Sequence, residues 1–344
     1  MFYKPAMLEP SALFELVQGD ARFERALDPR VRDALEQLEQ RLRQPTGPAL
    51  LGEICAELFR AGGKRLRPMM ALVSAGATTL PTAAAIDLAE VTELTHAAAL
   101  LQDDVIDEAD TRRGQIAARR RWSNTLAILS GDHLLVRSLR LLEALQAPAV
   151  MRFYLDAMEQ LLSSEAEQHL AKRSGDISVA GYVRIAIGKT GTQFGFACGA
   201  PLLCAGDTAS AALLDRFGRE MGVAFQIADD VRDVMQLDPT KPTMLDLADG
   251  VANLPIRIAA EDDPAIRDFL RRAPDCTPTA DELARVAART RSPQAVRRAA
   301  ELGRQRLATA LAALDGMPLP DAFAAHRAVC DWLGHELDQQ TALG

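Results

Sequence analysis

The sequence predicts an almost all-helical fold, and three observations carry that prediction. Alanine, leucine, glutamate and arginine dominate the 344 residues while aromatic side chains make up only 5%, a balance that favours helix because straight side chains lose little rotamer freedom there. No proline falls between Pro81 and Pro148, or from Ala149 to Gly199. Within those spans apolar residues recur at three and four, as in LAEVTELTHAAALLQ and MEQLLSSEAEQHL, the period of a helix with one buried face. A hydrophobic fraction of 48% is ample for one large domain or two ordinary ones.

The elements follow in order. The chain to about Gln44 reads as an N-terminal extension plus the helix PRVRDALEQLEQRLRQ, closed by the breaker run PTGP, so residues 1–44 are expected as extension and helix and 45–344 as the main helical domain. Long packed helices fill the proline-free spans. The uncharged stretch Thr190 to Gly206 contains Gln193, four glycines and Pro201 and reads as packed helix and a turn, since a membrane span needs roughly 20 mostly apolar residues. Pro239, Pro242, Pro255, Pro264, Pro274 and Pro278 then mark loops between shorter segments, before SPQAVRRAAELGRQRLATALAAL returns to helix. No repeat of solenoid length occurs.

With 39 basic and 47 acidic residues the formal charge is -8, so no overall positive field exists to gather nucleic acid or anionic lipid. An anionic ligand must be caught locally. The five cysteines, Cys55, Cys198, Cys204, Cys276 and Cys330, are scattered and form no CxxC pair, which points to the reducing cytoplasm and away from structural zinc. The opening MFYKPAMLEP has neither the charge pattern nor the apolar core of a targeting peptide, and none is expected.

The chemistry concentrates in LLQDDVIDEADTRRG. On a helix residues four apart project from nearly the same face, so Asp103 and Asp107 converge with Asp104 beside them. An isolated acidic cluster is ordinarily a solvated helix face. Here FQIADDVRDV repeats the DDxxD spacing at Asp229, Asp230 and Asp233, 126 residues after Asp103 (229 minus 103). Oxygen-rich clusters suit hard cations such as Mg²⁺, which takes a few carboxylates together with substrate phosphates. Cations lie close by in sequence: GGKRLRP supplies Lys64, Arg65 and Arg67, and TRRG supplies Arg112 and Arg113, with guanidinium forks matched to phosphate oxygens. Each alone reads as surface charge; jointly they describe a diphosphate binder. Other signatures fail. The GKT at Gly188 to Thr190 lacks the earlier glycine of a phosphate-binding loop, Val183 standing there; the five histidines show no HExxH spacing; and no GxSxG occurs.

The ordered set GGKRLRP, DDVIDEADTRRG, GKTG, FQIADDVRD and KPTMLDLADG resembles the trans-isoprenyl diphosphate synthase family, the head-to-tail polyprenyl synthases, from roughly residue 50 onward. The resemblance implies an all-α isoprenoid-synthase-type bundle around a deep central cavity, a homodimer, and Mg²⁺, three ions with substrate bound. It implies that Asp103, Asp104 and Asp107 with Asp229, Asp230 and Asp233 hold the metal on an allylic diphosphate. Arg112, Lys189 and Lys241 would contact that same diphosphate. Lys64, Arg67, His96 and Arg113 match positions that bind isopentenyl diphosphate, and Thr190, Phe225 and Gln226 match residues beneath the reacting carbons. In the family a bulky aromatic four or five residues before the first Asp stops chain growth; those positions are Ala99 and Ala98, with Thr95 next below. A tall tunnel and a medium to long product are expected, unless Leu126, Leu129, His133 or Leu134 on the following helix provides a floor.

One segment departs from the family pattern. TKPTMLDLADGVANLP has Met244 for a glycine, Val251 for a lysine and Asn253 for a threonine, and Arg257 is the nearest cation to take the lysine's place. The alternatives to a long-chain synthase are a geranylgeranyl diphosphate synthase and a non-catalytic subunit of a heteromeric synthase, the latter motivated by Val251. A terpene cyclase would carry a different second metal motif.

Overall fold

In the computed structural model, residues 28–112, 115–174, 178–235, 252–272, 279–318 and 320–342 are described. The chain folds as two compact units, Met1–Gln146 and Ala147–Gly344. The expected all-α class is what forms. A two-residue β-hairpin is the exception among the described residues. Among those residues no helix is long and apolar enough to cross a membrane.

In the first unit, α1 (Pro29–Leu42), α2 (Ala49–Arg60), α3 (Leu66–Gly76), α4 (Thr82–Ile106) and α5 (Asn124–Ala144) pack together, with α4 against both α3 and α5. Asp28 caps α1 by accepting from the Arg30 N–H at 2.8 Å, and Ser123 caps α5 through the Leu126 N–H at 3.1 Å. α4 is buried along most of its length, from Ala85 to Asp104, on more than the single face that its three-four recurrence predicts. It nonetheless buries Glu90, Thr92, Glu93 and Thr95. Glu90 is 1% exposed and receives Arg137 of α5 and, at 3.4 Å, Arg41 of α1. The PTGP connection is pinned to α5: His133 Nε2 donates to the Thr46 carbonyl at 3.0 Å and Arg137 to the Thr46 hydroxyl at 2.6 Å. Gly47 has φ +78° and lies against the His133 ring, where a Cβ would collide.

In the second unit, α6 (Pro148–Ser174), α7 (Val179–Ala186), α8 (Thr192–Cys204) and α9 (Thr208–Met235) are followed by α10 (Leu254–Asp262), α11 (Pro264–Arg272), α12 (Ala280–Thr290), α13 (Pro293–Asp315) and α14 (Ala324–Ala342). α9 is the axis of this unit, packed on α8, α13 and α14. The expected helix-plus-turn over Thr190 to Gly206 forms as a π-helical turn, Ile187–Gly191, running into α8, which continues through Pro201 and ends in a turn at Gly206 with φ +88°. The glycines make this packing close. A Cβ at Gly222 would sit 3.1 Å from the Gly191 Cα, and one at Gly199 would sit 2.9 Å from the Ala211 carbonyl oxygen.

His326 of α14 is fully buried between the rings of Phe217 and Phe323, at 5.3 and 5.4 Å. Burial pushes its pKa down from 6.5 to about 3. A group depressed in the folded state contributes stability above its unfolded pKa that is lost as pH falls, because the unfolded chain takes up the proton that the native state refuses. Between pH 7 and 5 this should cost about 2 kcal/mol. Denaturant titrations of wild type and His326→Leu at both pH values check it: the wild type should lose more stability on acidification than the variant by that amount, and parallel losses would refute the assignment.

Candidate active site

The first aspartate motif closes α4. The helix ends at Ile106 and Asp107 is its C-cap, its N–H donating to the Asp103 carbonyl at 2.8 Å, so the four-residue spacing expected to bring Asp103 and Asp107 onto one face holds to the helix end. Asp103 is half-buried and Asp107 exposed, whereas Asp104 is only 2% exposed. The three carboxylates are therefore not equivalent. Arg112 donates to Asp104 Oδ1 through Nε at 2.7 Å and also through Nη2. Burial pushes the Asp104 carboxyl up; Arg112 opposes this, and the charges of Asp103 and Asp107 reinforce it. Burial therefore outweighs the arginine at Asp104.

Arg112 reaches Asp104 because the chain turns back after α4. β1 (Thr111–Arg112) pairs antiparallel with β2 (Gln115–Ile116), Arg112 opposite Gln115. Glu108 takes a left-handed conformation at φ +52°, and Arg119 braces the turn by donating to the carbonyls of Glu108 at 2.6 Å and Ala109 at 3.0 Å. The sequence reading missed Arg119, since nothing sets it apart from Arg120 and Arg121 beside it. Arg113 lies outside the described residues.

The GGKRLRP loop enters α3. Lys64 and Arg67 are half-buried, as is His96 on α4. Arg65, grouped with them as a candidate phosphate donor, is turned inward instead. It is 5% exposed and bonded to Glu39 and Glu93, each at 2.5 Å. Burial alone would push its pKa down; the two carboxylates outweigh that and hold it charged.

The second motif lies in the last turns of α9, with Asp229 and Asp233 half-buried and Asp230 5% exposed. Again the middle aspartate is the buried one. Gln226 Nε2 donates to Asp230 Oδ1 at 2.9 Å and the Leu254 N–H donates to Oδ2 at 3.0 Å. The Thr190 hydroxyl donates to Gln226 Oε1 at 3.1 Å, so Thr190, Gln226 and Asp230 form one chain. The π-helical turn presents Thr190, and such turns recur at functional sites. Lys189, on the same turn, donates to Glu165 at 2.9 Å and Gln168 at 3.3 Å on α6. Phe225 is half-buried with its ring 5.7 Å from that of Phe194.

Beyond the second motif the departures acquire a local reason. Asn253 caps α10 by accepting from the Ile256 N–H at 3.3 Å, a role that asparagine and threonine share. Arg257, the nearest cation to the missing lysine, is 6% exposed, donates to the carbonyls of Ala252 at 2.6 Å and Ser178 at 3.0 Å, and lies over the Tyr182 ring. It braces the start of α10 against the start of α7. Tyr182 is buried beside Asp230, and burial first, then that carboxylate, raises its ionisation well above the ordinary phenol value. Lys241, Met244 and Val251 lie outside the described residues.

No cluster of three or more aspartate, glutamate, histidine or cysteine side chains forms a ready-made metal cage among the described residues. The outer pairs, Asp103 with Asp107 and Asp229 with Asp233, offer carboxylate oxygens at accessible helix ends. That donor set fits Mg²⁺, which completes its shell with water and phosphate oxygens.

Comparison with known proteins agrees. The polyprenyl synthetase family model matches residues 48–288. Component 2 of heptaprenyl diphosphate synthase from Geobacillus stearothermophilus is 32% identical over 304 residues, 87% of this chain and 93% of that protein. Nonaprenyl diphosphate synthase from Mycobacterium tuberculosis is 33% identical over 298 residues, 79% and 88% of the two chains. The structure of a polyprenyl synthase from Caulobacter crescentus CB15, solved with calcium and isoprenyl diphosphate, matches with a TM-score of 0.80 at 28% identity, covering 91% of this chain and 96% of that one. The chain belongs to the polyprenyl synthetase family. It is a prenyltransferase of that family.

Proposed function

We propose that the chain condenses isopentenyl diphosphate with an allylic prenyl diphosphate, head to tail, to make a linear trans-polyprenyl diphosphate of medium to long chain. The observation that carries this is the doubled motif: each DDxxD lies in the last turns of a long helix, has its middle aspartate buried and held by protein donors, and carries an outer i, i+4 pair of more accessible carboxylates. Asp103 and Asp107, and Asp229 and Asp233, would ligate Mg²⁺, with Asp104 and Asp230 completing each motif. The relatives named as heptaprenyl and nonaprenyl diphosphate synthases support the product class.

Bound Mg²⁺ supplies the positive charge that stabilises a departing diphosphate. Arg112, Lys189 and Lys241 bind the allylic diphosphate and orient its C–O bond, while Lys64, Arg67, His96 and Arg113 hold isopentenyl diphosphate. The C–O bond ionises, the leaving diphosphate takes the electron pair, and the double bond of isopentenyl diphosphate attacks the allylic cation. Loss of a proton to the released diphosphate restores a double bond. Thr190, Gln226 and the face of Phe225 line the reacting carbons, where an aromatic ring favours developing positive charge. The test is the purified chain alone with both substrates and Mg²⁺, the product identified by mass. A linear prenyl diphosphate supports the reading; a cyclised hydrocarbon, or turnover only with a second protein, overturns it.

At 100° per residue, Ala99 sits about 40° around α4 from Asp103 and Ala98 about 140° away. Ala99 is half-buried; Ala98 and Thr95 are buried. The Ala98 carbonyl sits at the close approach to α5, where a Cβ at Gly131 would be 3.2 Å from it. Ala99 is thus the position from which chain length is set. The wild type should release product of about C30 or longer, six or more five-carbon units on this small-residue helix face, and Ala99→Phe about C15 to C20. Mass analysis of both products decides it, and a wild type that already stops at C15 would place the floor elsewhere.

Apolar side chains stand exposed along α5, at Ile128, Leu129, Val136 and Leu139, and along α6, at Leu155, Leu162 and Leu170. Such stripes are costly on a monomer and support a homodimer, to be checked by light scattering. The scattered free thiols suit the cytoplasm.

A further inference from the structure

GGKRLRP contains one cation that the proposed diphosphate chemistry leaves unused, Arg65. The Arg65 side chain is 4% exposed. Its Nε donates to Glu39 of α1 at 2.5 Å, Nη1 to Glu93 of α4 at 2.5 Å, and Nη2 to the Phe59 carbonyl near the end of α2 at 2.9 Å. The guanidinium also lies 5.7 Å from the Phe59 ring centroid. Its own backbone is left-handed, φ 48° and ψ 27°, at the N-cap of α3, a conformation that a long side chain keeps only where its surroundings enforce it. One residue therefore ties α1, α2 and α4 to the first residue of α3.

The positions of its neighbours give this tie a consequence. Lys64 precedes Arg65, Arg67 follows two residues later, and His96 lies three residues beyond Glu93 on α4, roughly one helical turn away. We propose that Arg65, gripped by Glu93 and Glu39, is a positioning residue that sets Lys64 and Arg67 in register with His96 for isopentenyl diphosphate. The role rests on the assignment of those three residues to that substrate. A buried charged cluster is a poor way to gain stability, since an apolar replacement often does as well; an arginine fork with three fixed acceptors is a good way to fix direction. α4 carries an internal control. Glu90 is also buried and takes two arginines, Arg137 of α5 and Arg41 of α1, neither of which belongs to the GGKRLRP loop.

The experiment compares Glu93→Gln with Glu90→Gln, measuring KM for isopentenyl diphosphate, KM for the allylic substrate, kcat and the unfolding midpoint of each. Glu93→Gln should raise the isopentenyl diphosphate KM roughly tenfold with the allylic KM within about twofold of wild type, a small misplacement of binding groups being enough. Glu90→Gln should shift the unfolding midpoint without that selective change. An isopentenyl diphosphate KM within about twofold of wild type in Glu93→Gln, or equal changes in both substrates, overturns the proposal. Should Glu93→Gln not fold, Arg65→Lys, which keeps the charge and loses the fork, is judged by the same criteria. Lys64→Ala separates the two levels: an unchanged isopentenyl diphosphate KM there removes the substrate assignment and the positioning role with it, whereas a raised KM there beside an unchanged one in Glu93→Gln removes the positioning role alone.

Discussion

Replacing Asp103 or Asp229 with alanine should lower turnover at least about a hundredfold, about 2.7 kcal/mol of transition-state stabilisation, while leaving the fold intact. The expectation of an intact fold comes from the inequivalence within each motif. Asp104 and Asp230 are buried and hold Arg112, and Gln226 with the Leu254 N–H, so their removal would orphan buried donors. Asp103 and Asp229 are half-buried, and the Asp229 ion pair with Arg232 is long, at 3.5 Å. Removing the Asp103 charge even relieves repulsion on the buried Asp104 carboxyl. Steady-state rates beside far-ultraviolet circular dichroism check both halves of the statement. Near-normal turnover in either variant would sink the metal assignment, and loss of helical signal would show that these carboxylates support the fold.

Gly218→Ala should be the most damaging single methyl in the second unit. A Cβ at 218 would lie 2.6 Å from the Phe194 carbonyl carbon and 2.8 Å from the Gly195 amide nitrogen. Both are backbone atoms, so no rotamer change can make room and α9 must move off α8. Overpacking of this kind costs about 3 kcal/mol. The displacement also loosens the Thr190–Gln226 hydrogen bond, because Gln226 lies two turns further along α9 and Thr190 lies on the turn leading into α8. The denaturation midpoint should fall and kcat should fall with it. A variant with wild-type stability would mean that the two helices have slack, contrary to the distances.

The helical class was legible because composition and the three-four recurrence act locally. The DDxxD motifs were legible because their spacing is itself helical: Asp103 and Asp107 share a face wherever a helix forms. The grouping of Arg112 with the first motif also followed from short sequence separation, and the structure pairs it with Asp104. Arg65 was misjudged for the converse reason. Its partners Glu39 and Glu93 are 26 and 28 residues away, and nothing in GGKRLRP distinguishes an arginine that will meet substrate from one that will be buried. For Arg257 too, the contacts that the structure adds, to the carbonyls of Ala252 and Ser178, depend on the tertiary fold, Ser178 lying 79 residues away.

The sequence by itself thus determined the all-helical class, the family, and the helical spacing within each DDxxD motif, since each rests on residue type and on periodicities set by backbone geometry. Only the tertiary structure decided which member of each motif is buried, which arginines brace the chain, and why Gly191, Gly218 and Gly222 are glycine, because burial and close approach depend on where distant segments come to lie. The middle aspartates show the division most plainly. Asp104 and Asp230 look the same as their neighbours in DDxxD, and they differ because other segments of each unit, the hairpin arginine in one and the start of α10 in the other, fold back and cover them.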